Sequence, residues 1–275
     1  MSYSNQLIGE AGEIDRVRIE IGSGLVEIRP ADGEKTIVTL DVDGAEGGDV
    51  VFEVVNGELV VEGPKKSRRG PEIRVRIDTP ATLDARIQTG AGDITARMPL
   101  GEARLSTGSG DIRAERIEGD LAATTGSGDV RIGSAAQAVR AKTGSGAIDI
   151  GESIGQVGVS TGSGDVRLGD AAGPTTVKVG SGDITIERIR DHSIATSGSG
   201  DVRVESAEGP SVRAETARGD VQIGVPDGVP TYLDLKTVTG QIRCDLEPGE
   251  KPAEGERSLM LRARTVSGDI TVVRV

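Results

Sequence analysis

Aromatic side chains are almost missing from this chain: one Phe, two Tyr and no Trp among 275 residues. Such side chains carry much of the buried area of an ordinary globular core, so a thick core of that kind is excluded. Cysteine is equally scarce. With Cys244 alone there is no internal disulfide framework, and no Cys/His set with metal-ligand spacing can be assembled. His192 is the single histidine. Any Ser/His/Asp arrangement would have to be built around it, and its place beside Asp191 in a turn reads as surface. No apolar run is long enough to cross a bilayer. Met1 to Gly12 has neither the basic nor the apolar region of an export signal, which makes the cytoplasm the expected location. Positive charge is in deficit too: 32 Lys and Arg against 44 Asp and Glu give a formal charge of −12. Phosphate binding rests on Lys and Arg, so this balance argues against nucleic acid as a main partner.

What is abundant is glycine, 41 residues of it, much of it in one repeated phrase. The clearest copy is Thr161-Gly162-Ser163-Gly164-Asp165-Val166-Arg167-Leu168. Its second glycine recurs as Gly92, Gly110, Gly128, Gly146, Gly164, Gly182 and Gly200, 18 residues apart each time, with looser copies at Gly219, Gly240 and Gly268. A fixed period in this range marks a stack of like units. Two residues after that glycine stand Ile94, Ile112, Val130, Ile148, Val166, Ile184 and Val202; four residues after it stand Ala96, Ala114, Ile132, Ile150, Leu168, Ile186 and Val204. The residues between are mostly polar, and period-two alternation predicts a strand with one buried face. A second alternating run precedes each glycine pair, with Leu121, Val139 and Val157 followed by Ala123, Ala141 and Val159. Each unit therefore carries two short strands and two turns.

No such unit can bury its apolar face alone. Stacking as coils puts like residues on like residues, about 4.8 Å apart. The predicted fold is an all-β, single-stranded parallel β-solenoid. Right-handed coiling is favoured by the crossover rule, and a flattened two-sheet coil is favoured over a triangular one. Glycine suits a corner that needs positive φ, and the intervening serines, Ser109 to Ser199, can bond to turn backbone. Cys244, four residues after Gly240, falls in the inward column and is expected to be buried.

The chain reads in four stretches of one solenoid domain: a flexible lead-in over 1–13, irregular N-terminal coils forming a cap over 14–87, regular coils over 88–206, and looser coils with corner insertions over 207–275. Asn56-Gly57 signals a hairpin in the irregular part. The insertion Glu247 to Glu256 is expected to shield the last strand, Ile270 to Val275, whose edge would otherwise be open. A mostly monomeric protein follows, with end-to-end or edge self-association as the alternative.

Two groups of charges are candidate sites. Lys65, Lys66, Arg68 and Arg69 form a possible interaction loop. The aspartates directly after the second glycine form a column, and stacked like charges would repel by on the order of 1–3 kcal/mol each in a solvent-like dielectric. Arg113, Arg131, Arg167 and Arg203 lie two residues further on and can balance them. The preferred reading is that each aspartate caps its turn and pairs with an arginine. The alternative is a calcium ladder on Asp111, Asp129, Asp165, Asp183 and Asp201, although calcium rolls want Gly-x-Gly-x-Asp in both half-coils. No catalytic residue, cofactor or metal is otherwise expected.

The Thr-Gly-Ser-Gly-Asp repeats, the stretch Asp78-Thr79-Pro80-Ala81 and the closing Thr265-Val266-Ser267-Gly268-Asp269-Ile270 resemble the bacterial β-strand-repeat family of candidate adhesins, the domain of unknown function numbered 4097. The resemblance spans nearly the whole chain. It implies the same β-solenoid, brings no catalytic residues, and suggests a place in an envelope or stress pathway. Filament-forming bactofilins are a weaker likeness, sharing aliphatic parallel coils but not the corner. The functional expectation is a non-catalytic scaffold or adhesin-like protein that binds a protein partner. A self-assembling structural protein is the alternative, and a carbohydrate-active enzyme comes last.

Overall fold

The computed structural model describes residues 2–10, 12–44, 50–64, 71–246 and 258–275. Among them every regular element is a strand, and the chain divides into two compact units, Met1–Gln137 and Ala138–Val275. Each unit is a parallel β-solenoid at heart. The inward columns read from the alternation are the core: Ile94, Ile112 and Val130 are fully buried in the first unit, and Ile148, Ile184 and Val202 in the second.

In the first unit, Leu121–Thr125 lies parallel on Leu100–Thr107, and Val130–Ala135 on Ile112–Ile117. The step is the sequence period: Val130 faces Ile112 and Ile132 faces Ala114. Before these coils, Arg16–Pro30 is one 15-residue strand, and its Gly24 sits in register with Gly92. The degenerate phrase Gly22-Ser23-Gly24 is therefore a genuine rung. On its other side the first half of this strand pairs with Glu58–Glu62 and the second half with Glu72–Thr79.

Antiparallel pairs close that side. Val51–Val55 folds back on Glu58–Glu62 through Asn56-Gly57, whose φ angles of 51° and 79° are those of a tight hairpin turn. Lys35–Asp43 lies antiparallel to Glu72–Thr79. The expected lead-in over 1–13 needs correction. Ser2–Glu10 is a strand, antiparallel to Lys35–Asp43 along its whole length. Its sequence lacks a clean apolar alternation because most of it is exposed, so backbone pairing rather than burial holds it in place.

In the second unit the coils run regularly from Val139–Ser145 to Val221–Val225, each strand parallel to the one a coil earlier. The final coils break chain order. Leu259–Ser267 lies between Ser211–Arg218 and Thr231–Thr239, and Ile270–Arg274 lies between Val221–Val225 and Ile242–Cys244. The last strand is thus an interior rung with both edges paired, not the open edge anticipated from sequence. Leu259, Leu261, Ala263, Ile270 and Val272 are accordingly fully buried. The outermost rung is the earlier segment, Thr231–Cys244. This also corrects Cys244, which is exposed together with Ile242. Its column is inward, but within the described residues no coil lies beyond it. The insertion at 247–257 falls outside the described residues.

Two substitutions test this packing. Val166 is 1% exposed, so Val166→Asp should strand a carboxylate between coils and cost several kcal/mol in chemical denaturation. Gly164→Ala should be comparably damaging, since φ there is 146° and a Cβ would lie 2.1 Å from the carbonyl oxygen of Gly146. Gly158→Ala is the control. Its Cβ would meet nothing nearer than 3.8 Å, so the melting temperature should stay level or rise.

Candidate functional site

The repeated corner gathers buried and half-buried polar side chains in register in each unit. Its buried hydroxyl belongs to the threonine three residues before the second glycine, not to the serines, which face solvent. Thr107 and Thr125 are 4% and 2% exposed. The Thr107 hydroxyl donates to the carbonyl of Gly92 in the previous coil at 2.9 Å and accepts the N–H of Gly110 in its own coil at 3.1 Å. Thr125 repeats this with Gly110 and Gly128. In the second unit Thr161, Ser197, Thr216 and Thr265 donate to the carbonyls of Gly146, Gly182, Gly200 and Gly219. A threonine buried in an otherwise aliphatic register was the sequence signal for this ladder, and alternation alone did not flag it.

The aspartates form a second ladder. The backbone N–H of Asp111 donates to Asp93 Oδ1 at 2.8 Å, and that of Asp129 to Asp111 Oδ1 at 2.9 Å. In the second unit the series runs from Asp165 through Asp183, Asp201 and Asp220 to Asp269, and ends with the N–H of Gln241 on Asp269 Oδ1. Each carboxylate thus caps the corner of the following coil rather than its own. The second oxygen of Asp111 takes Arg113, and that of Asp129 takes Arg131 at 2.7 Å. Arg203 pairs with Glu205 instead. The N–H of Asp129, followed by Arg113 and Arg131 and opposed by partial burial, holds the Asp111 carboxyl below the usual carboxylate range. These bonds answer the repulsion expected of a bare acidic column.

The same bonds bear on the calcium alternative. Asp111, Asp165, Asp183 and Asp201 each have Oδ1 occupied by a backbone N–H. Among the described residues no group of three or more His, Cys, Asp or Glu is placed to hold a metal ion. The interaction loop of Lys65, Lys66, Arg68 and Arg69 lies outside the described residues. The exposed His192 donates its backbone N–H to Asp191 and its ring meets the same carboxylate at 4.0 Å. A shallow groove in the second unit is lined by Arg188, Arg203, Glu205, Ser206, Gln222 and Val275 among others. Its arginines are held by Glu205, Asp170 and Glu208. The Ser206 hydroxyl donates to Glu208 Oε1 at 3.3 Å, a carboxylate that Arg188 also holds, so this is a charge-balanced surface.

The family model Toastrack DUF4097 matches residues 12–195 and again 175–273. No curated protein matches the chain. Among solved structures, a candidate adhesin from Parabacteroides distasonis shares 13% identity over 100% of this chain and 97% of its own, with a TM-score of 0.35. One from Bacteroides fragilis shares 13% over 99% and 97%, with a TM-score of 0.34. A candidate lipid-binding protein from Parabacteroides distasonis shares 12% over 99% and 96%, with a TM-score of 0.33.

The ladder makes Asp111 a test position. Asp111→Ala removes the acceptor for Asp129 N–H and should cost about 1 kcal/mol. Asp111→Asn keeps an oxygen there and should cost less. A carboxyl with a depressed folded pKa adds stability that is complete above its unfolded pKa and vanishes as pH falls through the folded one. The gap between wild type and Asp111→Asn in thermal melts should therefore be widest near neutrality and shrink on acidification below the usual carboxylate pKa. Millimolar calcium should raise the melting temperature no more than magnesium does.

Proposed function

This chain belongs to the Toastrack DUF4097 family, and on that footing we propose that it is a non-catalytic β-solenoid scaffold with an adhesin-like role, presenting its flat outer strand faces to a protein partner. The observation that carries the reading is how the repeat spends its polar side chains. Where a corner carries the threonine and the aspartate, both bond to the backbone of neighbouring coils. What remains outside is a mixed polar surface with local ion pairs, such as Arg104 with Glu102 and Arg213 with Glu215. Strands stacked in register present that surface as a continuous face, which favours recognition over a broad area rather than in a pocket. An envelope or stress pathway is the setting that the family resemblance suggests for it.

The test uses the full chain with a photo-cross-linking residue at Thr185 or Gln222, both on outward strand positions of the second unit. Both positions should capture one defined protein from cells of the source type, and unlabelled full chain should compete it away. The same preparation should release no reducing ends from a panel of polysaccharides. Turnover that His192→Ala abolishes would overturn the non-catalytic reading.

A further inference from the structure

The outermost rung of the second unit opens with the strand Thr231–Thr239. Thr231–Thr239 pairs with Leu259–Ser267 along one edge, and among the described residues no strand pairs with the other. Tyr232, Leu233 and Val238 are 49%, 40% and 68% exposed. The carbonyl of Pro230 accepts the N–H of Leu259 at 2.9 Å. In a parallel ladder the groups aimed at one neighbour belong to alternate residues, so the N–H and C=O of Leu233, Leu235 and Thr237 point to the free edge.

We propose that this edge docks on the same edge of a second copy of the chain, the two strands running antiparallel about a two-fold axis at Leu235. In that register Leu235 meets Leu235, and Leu233 meets Thr237, through the backbone groups that face outward. On the solvent side Asp234 stands opposite Lys236 and Tyr232 opposite Val238, so each charge meets its opposite and each exposed apolar side chain meets another. Alternation allows a slip only in steps that keep outward-facing groups together. The smallest slip in one direction sets Asp234 on Asp234, and in the other it sets Lys236 on Lys236. Like charges directly opposite are unfavourable, so both neighbouring registers are disfavoured, and the larger slips, centred on Leu233 or Thr237, lose the Asp234–Lys236 pair. Asp234 is already held by Arg262 at 2.7 Å and Arg264 at 3.1 Å from the rung behind, which orders it for the second copy. An isologous contact of this kind closes on itself, so association stops at two chains.

Sedimentation equilibrium of the full chain from low micromolar to several hundred micromolar should fit a monomer–dimer equilibrium with no larger species. Lys236→Glu should weaken the dimer at least tenfold. Lys178→Glu, on an interior coil, should leave it unchanged. In a Cys244→Ser background, Tyr232→Cys with Val238→Cys should oxidise to a dimer whose disulfides join 232 to 238. A monomer at every concentration, growth beyond the dimer, equal effects of the two lysine variants, or disulfides joining 232 to 232 would each overturn the proposal.

Discussion

Each coil of either unit passes its neighbour at a glycine, and the rest of the structure depends on that close approach. A Cβ on Gly110 would lie 2.0 Å from the carbonyl oxygen of Gly92, and one on Gly128 would lie 1.9 Å from that of Gly110. The same holds along the second unit, where a Cβ on Gly268 would lie 2.0 Å from the oxygen of Gly219. No real side chain tolerates such distances. The backbones can therefore run at hydrogen-bonding separation through the corner as well as along the strands. The corner threonine exploits this, because its hydroxyl reaches the carbonyl of the previous coil only at that separation. The aspartate works on the other side of the same corner, where its carboxylate meets the N–H of the following coil.

These two ladders explain how an aromatic-poor chain is held together. The aliphatic columns supply burial but little specificity, since Ile, Val, Leu and Ala are near-equivalent there. A slip of one residue in a strand turns its apolar face outward. A slip would also separate each threonine from its glycine carbonyl and each aspartate from its N–H. Register is thus set twice, by burial and by directional bonds, and the directional bonds lie at the corner where the chain turns. The sequence reading assigned the aspartates to their own turns. In the structure they serve the next coil, which makes the column a coupling between coils and gives it a direction along the stack.

That direction accounts for the end of the second unit. Gln241 takes the aspartate position in the rung Thr231–Cys244, and its N–H is the last donor in the series, on Asp269. A terminal rung needs no carboxylate, because within the described residues no following coil offers an N–H to it. The rung with the glutamine is outermost, and the later coil with Asp269 lies inside it. The ends are also where the two units differ from their repeats. Antiparallel strands flank one side of the first unit, while the second unit ends on a strand whose outer edge carries exposed apolar residues.

The period, the alternation and the glycine pairs by themselves determined the solenoid, its two-strand coils and its inward columns, because stacking like units leaves only one way to bury a one-residue-wide apolar stripe. They determined the hairpin at Asn56-Gly57 as well, since that dipeptide accepts positive φ at both positions. Chain order is where the sequence stopped. The looser spacings after Gly219 fit any stacking order of the last coils, and pairing across space chose the one in which Ile270–Arg274 is interior and Cys244 is exposed. Ser2–Glu10 was silent for a related reason: it is held by backbone bonds to Lys35–Asp43, and backbone bonds leave no signature in side-chain periodicity. Of the candidate site residues, the aspartate column was legible as a column, but whose N–H each carboxylate serves depends on the distance between coils, and only the tertiary structure sets that distance.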